Sequence, residues 1–97
     1  MSAATPFKKP VYIAFQENAE AAPIIEAIAE DNPDAIVHHY PAMVRIESGD
    51  RITVKRASVE RRLLRDWDPQ ELHLHLISIS GNVYETDDEF TLSWNKP

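Results

Sequence analysis

The sequence predicts an α+β fold: a single compact domain in the order β-α-β-β-β-α-β-β-β, its helices packed on a mainly antiparallel sheet. Three observations carry that prediction. Apolar residues fall at helical spacing over residues 21–28 and again over residues 59–67. Shorter stretches between and after them alternate apolar with polar residues, or run apolar over a strand's length. Stop and turn signals separate these stretches at Asn32-Pro33, Pro41, Gly49-Asp50 and Gly81-Asn82. Residues 1–10, small, polar and proline-bearing, read as a flexible N-terminal tail, and residues 11–97 as the single domain.

The elements follow in order. VYIAF at 11–15 is too short for a helix and rich in β-formers, so it reads as a strand covered on both faces. Asn18 can cap the next element, although Pro23 delays the regular helix by about a turn. Ala21, Ile24, Ile25 and Ile28 then share one helical face. Pro33 ends this helix, because a residue preceding proline avoids the helical region. Residues 35–39 and 43–47 read as strands interrupted by Pro41. Val44 and Ile46 take one face of the second strand, with Met43 and Arg45 on the other. Gly49-Asp50 leads into a strand at 51–55. Apolar phase there predicts a hairpin with an odd loop or bulge that sets Ile46 opposite Val54. Ser58 is a candidate N-cap for the second helix, whose stripe is Val59, Leu63, Leu64 and Trp67. Asp68-Pro69-Gln70-Glu71 is a further start signal, with a cap, a proline at the first helical position and an acid at the third. The stretch 72–80, LHLHLISIS, reads as the central strand, with Leu74, Leu76, Ile77 and Ile79 among the most buried residues. Residues 85–89 form an acidic solvated loop, and Phe90, Leu92 and Trp94 alternate as a closing strand.

Composition narrows the chemistry. The chain has 97 residues and no cysteine, which removes disulfides, thiolate metal sites, iron–sulfur ligation and a cysteine nucleophile together. Its net charge of −6 argues against nucleic acid, which selects basic surfaces. No apolar run approaches the ~18 residues of a membrane span, and the first ten residues lack the apolar segment of a signal peptide. A cytoplasmic protein is the expectation. Two glycines cannot build a phosphate-cradling loop, and no serine sits in a nucleophile elbow. The acidic stretch 85–89 lacks calcium-loop spacing. His73 and His75 would share a face if both lay on a strand, which makes a metal pair geometrically possible. A third ligand at clear spacing is missing, so surface histidines are the commoner explanation. Arg45, mid-strand between apolar residues, is either an exposed strand arginine or one that faces a partner. The residues alone therefore describe a binding or regulatory module. A small stand-alone enzyme and a histidine-dependent metal-binding protein are the competing classes.

Several segments together carry a resemblance. They are YIAFQEN at 12–18, IIEAIAEDNPDA at 24–35, PAMVRIE at 41–47, R-x-S-V-E at 56–60, WD-x-QE at 67–71, and IS-x-x-GNV-x-E-x-DD-x-F-x-L-x-WN at 77–95. As a set they resemble the MmoB/DmpM family, the effector proteins of bacterial multicomponent diiron monooxygenases, and most closely its phenol hydroxylase members. The chain departs from the pattern at Leu64, where relatives tend to carry glycine after the leucine of the second helix. The resemblance implies a non-catalytic, cofactor-free subunit. Its partner would be the hydroxylase, which would hold the diiron centre and oxidise an aromatic such as phenol. This chain would tune that active site, substrate access and the coupling of NADH use to oxygenation. The partner-binding residues it suggests are Asn32, Pro33, Pro41, Met43, Arg45, Ser80, Gly81 and Asn82.

Overall fold

The computed structural model describes Phe7 and residues 9–95. Most of the expected flexible tail at 1–10 lies outside the described residues. The element order is β1 (Val11–Gln16), α1 (Ala22–Asp31), β2 (Ile36–Tyr40), β3 (Met43–Ser48), β4 (Arg51–Lys55), α2 (Arg56–Leu63), a short 3-10 helix (Pro69–Leu74), β5 (Leu76–Ser80), β6 (Asn82–Glu85) and β7 (Glu89–Ser93). The α+β expectation holds, and every strand pairing is antiparallel. The strands form two sheets rather than one: four strands in the order β2-β3-β1-β5, and three in the order β4-β7-β6.

β1 is buried along its length except at Tyr12 and Gln16. Val11, Ile13, Ala14 and Phe15 are all buried, with β3 on one side and β5 on the other. α1 begins late, at Ala22, with Pro23 in its first turn. Asn18 caps the turn before it, its Oδ1 accepting from the Ala21 backbone N–H at 2.8 Å. At the other end α1 stops one residue short of Pro33. The side chain of that residue, Asn32, closes the helix and reaches the neighbouring sheet. Its Nδ2 donates to the carbonyls of Ile28 (2.7 Å) and Thr53 (2.8 Å), and its Oδ1 accepts from Thr53 N–H at 3.0 Å. One amide thus satisfies an open edge of β4 as a further strand would.

Three expectations need correction. The hairpin at Gly49-Asp50 does not form, because β3 and β4 belong to different sheets and the chain crosses between them there. Ile46 and Val54 are still both buried in the one core, although no ladder pairs them. Ser58 does not cap α2, because the helix grows directly out of β4 with Lys55 at the cap position. Ser58 is instead buried in its first turns, accepting from Arg61. Finally, residues 72–80 are not the central strand. Their first part belongs to the 3-10 helix, and β5 is an edge strand with an irregularity opposite Ala14 and Phe15. Leu74 is 72% and Ile77 48% exposed, while Leu76 and Ile79 are half-buried. The alternation is real, but an edge strand has no neighbour on its second side to bury it.

Other local signals are realised closely. Asp68 and Glu71 form a reciprocal capping box with Pro69 at the first helical position. α2 ends at Leu63, and Leu64 adopts the left-handed conformation (φ 58°) that favours glycine, with its side chain 89% exposed. Trp67 lies past the helix rather than on its stripe, yet is 1% exposed. Its backbone N–H donates to Glu60 Oε2 at 2.8 Å, which fixes the return of the chain. One core runs through both sheets and helices: Ile13, Phe15, Val44, Ile46, Ile24, Ile28, Ile52, Val54, Val59, Trp67, Leu72, Phe90 and Leu92. Gly81 (φ 136°) links the sheets where an added Cβ would meet Leu92 and Val11 at 3.0 Å.

Candidate functional site

Strand alternation gives the four-stranded sheet two chemically opposite faces. Val11, Ile13, Phe15, Val44 and Ile46 point into the core. The other face collects Tyr12 and Ala14 from β1, His38 and Tyr40 from β2, Met43, Arg45 and Glu47 from β3, and Ser78 and Ser80 from β5. The register places Arg45 between His38 and Ala14, and Glu47 beside Tyr12, which Ser80 flanks on its other side.

A polar network ties this face together. Glu47 is 3% exposed. Its Oε2 accepts from Arg45 Nη2 at 2.9 Å and its Oε1 lies 3.2 Å from His38 Nε2. The Arg45 guanidinium carbon sits 4.0 Å from the centre of the Tyr12 ring, a cation–π contact. His38 also stacks with Tyr40, ring centres 6.3 Å apart. Nε of Arg45 is buried and has no hydrogen-bond partner among the described residues. Sequence reasoning singled out Arg45 and Met43 but missed Tyr12, His38 and Glu47. The i, i+2 spacing of Arg45 and Glu47 was the available signal. The strand pairing that brings Tyr12 and His38 to them was not.

The eight sequence-predicted residues do not form one cluster. Met43, Arg45 and Ser80 share this outer face. Pro41 lies beyond one end, in the two-residue turn that joins β2 to β3, where Ala42 takes a positive φ of 62°. Gly81 and Asn82 lie at the opposite end, next to Ser80. Asn32 and Pro33 line an open groove with Asp31, Asp34, Ser48, Gly49, Asp50 and Arg51. The polar atoms of the Asn32 side chain are engaged within the fold, so that residue positions its surroundings.

Little here suits bond-making. The carboxyls of Glu60 and Glu71 are held below the usual glutamate range, chiefly by the backbone N–H groups of Trp67 and Asp68 respectively. Both groups secure helix ends. His73 and His75 fall on the 3-10 helix and its cap, not on a strand, so the geometric argument for pairing them is lost. His73 instead contacts Glu85 at 3.2 Å. Among the described residues no group of three or more His, Asp or Glu side chains is placed to hold a metal, and no helix is long and apolar enough to cross a membrane.

The fold and site thus define a two-sheet α+β domain with a polar network gathered on one sheet face. Comparison with known proteins makes this specific. Residues 9–93 match the MmoB/DmpM family, and the chain belongs to it. It is 52% identical over 84 residues to the stimulatory component DmpM of phenol 2-monooxygenase from Pseudomonas sp. (strain CF600), covering 87% of this chain and 93% of that protein. Among solved structures it is similar to a chain in a phenol hydroxylase–regulatory protein complex. The TM-score is 0.86 with 48% identity, over 90% of this chain and 100% of that one. The regulatory protein B of soluble methane monooxygenase shares the fold at 18% identity, with TM-score 0.75 over 97% of this chain and 71% of that one.

Proposed function

We propose that this chain is the regulatory component of a phenol hydroxylase-type monooxygenase, and that it meets the hydroxylase through the outer face of its four-stranded sheet. The observation that carries the role is the 52% identity to a stimulatory component across nearly the whole of both chains. It is a non-catalytic subunit. The diiron centre belongs to the hydroxylase, this chain works in the cytoplasm without a cofactor of its own, and the substrate is an aromatic such as phenol. A protein that makes no bonds can alter another enzyme only by binding its states unequally. It must prefer the hydroxylase conformation competent for oxygen activation, with a coupling of about 1–3 kcal/mol, roughly 5–150-fold.

The contact surface in this reading has Arg45 at its centre, Met43 and Pro41 toward one end and Ser80 with Gly81-Asn82 toward the other. Pro33 extends it beside the Ser48–Gly49 turn, held there by Asn32. The test titrates the chain into hydroxylase plus reductase and measures product formed against NADH consumed. Wild-type protein should raise the rate, the coupling or both. Arg45→Ala should stay folded and shift half-saturation by about tenfold or more, on the order of 1.4 kcal/mol. If wild type changes neither quantity at any ratio, the regulatory role fails. If Arg45→Ala behaves as wild type, only the assignment of the face fails.

A further inference from the structure

We propose that Glu47 and Tyr12 are positioning residues that hold the Arg45 guanidinium ready to receive a carboxylate of the hydroxylase. This rests on the regulatory reading above and deepens it. The starting observation is that a charged network occupies a sheet face where the core makes no demand for it. A buried carboxylate is costly unless paired, and an apolar residue at position 47 would spare that cost. Glu47 nevertheless lies 3% exposed, with Oε2 accepting from Arg45 and Oε1 beside His38.

The geometry gives that arrangement a purpose. Ala14, directly opposite Arg45 on β1, is too small to occupy the space above the sheet there. The arginine can therefore lie diagonally toward Tyr12, whose ring it meets at 4.0 Å. Glu47, in register with Tyr12, draws Nη2 to the same side. A long side chain that would otherwise sample many rotamers is thus fixed from two directions, while a third of it stays exposed. Fixing a donor before binding removes the ordering cost from the binding step. Glu47 is 3% exposed whereas a third of the Arg45 side chain is exposed, so the arginine is the member of the pair that a partner can reach. In a chain of net charge −6, this places a partly exposed arginine on an otherwise polar and aromatic face. Its complement is a carboxylate, which a guanidinium fork grips in two-point geometry.

The experiment measures hydroxylase affinity for wild type, Tyr12→Phe, Tyr12→Leu, Glu47→Gln and Arg45→Ala, and for Glu47→Gln and Tyr12→Leu each combined with Arg45→Ala. Tyr12→Phe keeps the ring face and should bind as wild type. Tyr12→Leu and Glu47→Gln should each weaken binding on the order of tenfold. Neither should weaken it further once Arg45 is alanine, since both act through that side chain. Affinity should fall more steeply with added salt for wild type than for Arg45→Ala, as a charge pair requires. If Glu47→Gln does not fold, the two Tyr12 variants carry the test. Wild-type-like binding by Tyr12→Leu, or losses that add in full to that of Arg45→Ala, would overturn the positioning role. Equal salt dependence of wild type and Arg45→Ala would overturn the carboxylate partner. Absence of any wild-type binding would overturn the regulatory reading along with this one.

Discussion

The two faces of the four-stranded sheet are built from the same strands and obey different rules. On the inner face, Ile13, Phe15, Val44 and Ile46 are at most 2% exposed and belong to one core. On the outer face, one residue along in each strand, Tyr12, His38, Arg45 and Glu47 form a charged and aromatic network that packs no core. β3 shows the contrast within six residues, since Val44 and Ile46 alternate with Met43, Arg45 and Glu47. Stability and recognition are thus separated by the period of two of a β-strand. A substitution on the inner face should leave recognition nearly untouched, and one at an accessible outer-face residue should leave stability nearly untouched.

The most severe test of that separation is Phe15→Ala. It removes a fully buried ring from the central strand and should cost about 3–5 kcal/mol. Denaturant unfolding measures the loss, and the fraction that remains folded should bind hydroxylase as wild type does. Reduced affinity per folded molecule would mean that the inner face shapes the binding surface directly.

Asn32→Ala comes next in size. It removes three hydrogen bonds and strands the Thr53 N–H and carbonyl at the β4 edge, a cost of about 1–3 kcal/mol. Hydrogen exchange at Thr53 should accelerate with it. A loss of hydroxylase binding at unchanged stability would move Asn32 from the scaffold to the contact surface.

Leu64→Gly is the smallest change and runs the other way. A left-handed non-glycine residue is strained, and relief of that strain outweighs the added chain entropy of glycine by about 0.5–1 kcal/mol. The melting temperature should rise while affinity is unchanged. Weaker binding would show that the exposed Leu64 side chain is itself a contact, extending the functional surface beyond the outer sheet face.

Sequence by itself determined much of what depends on neighbours along the chain, although Ser58 is a local cap signal that the fold did not use. Pro33 stops α1, Pro23 delays its start, and Asp68 with Glu71 caps the 3-10 helix, because each acts on backbone groups within a turn of itself. Alternation in β3 separated Arg45 from the core side of its strand for the same reason. Tertiary structure decided which strands are neighbours. Apolar phase fixes the face a side chain takes but not the sheet its strand joins. The same pattern around Gly49-Asp50 is therefore satisfied by a crossing between sheets as well as by a hairpin. β1 and β5 are similarly apolar in sequence. They differ in burial because β1 has a strand on each side and β5 has one, a difference written in sheet order alone. The outer-face network has the same origin. Arg45 and Glu47 were legible two residues apart, but Tyr12 and His38 come to them from strands that only the folded register brings alongside.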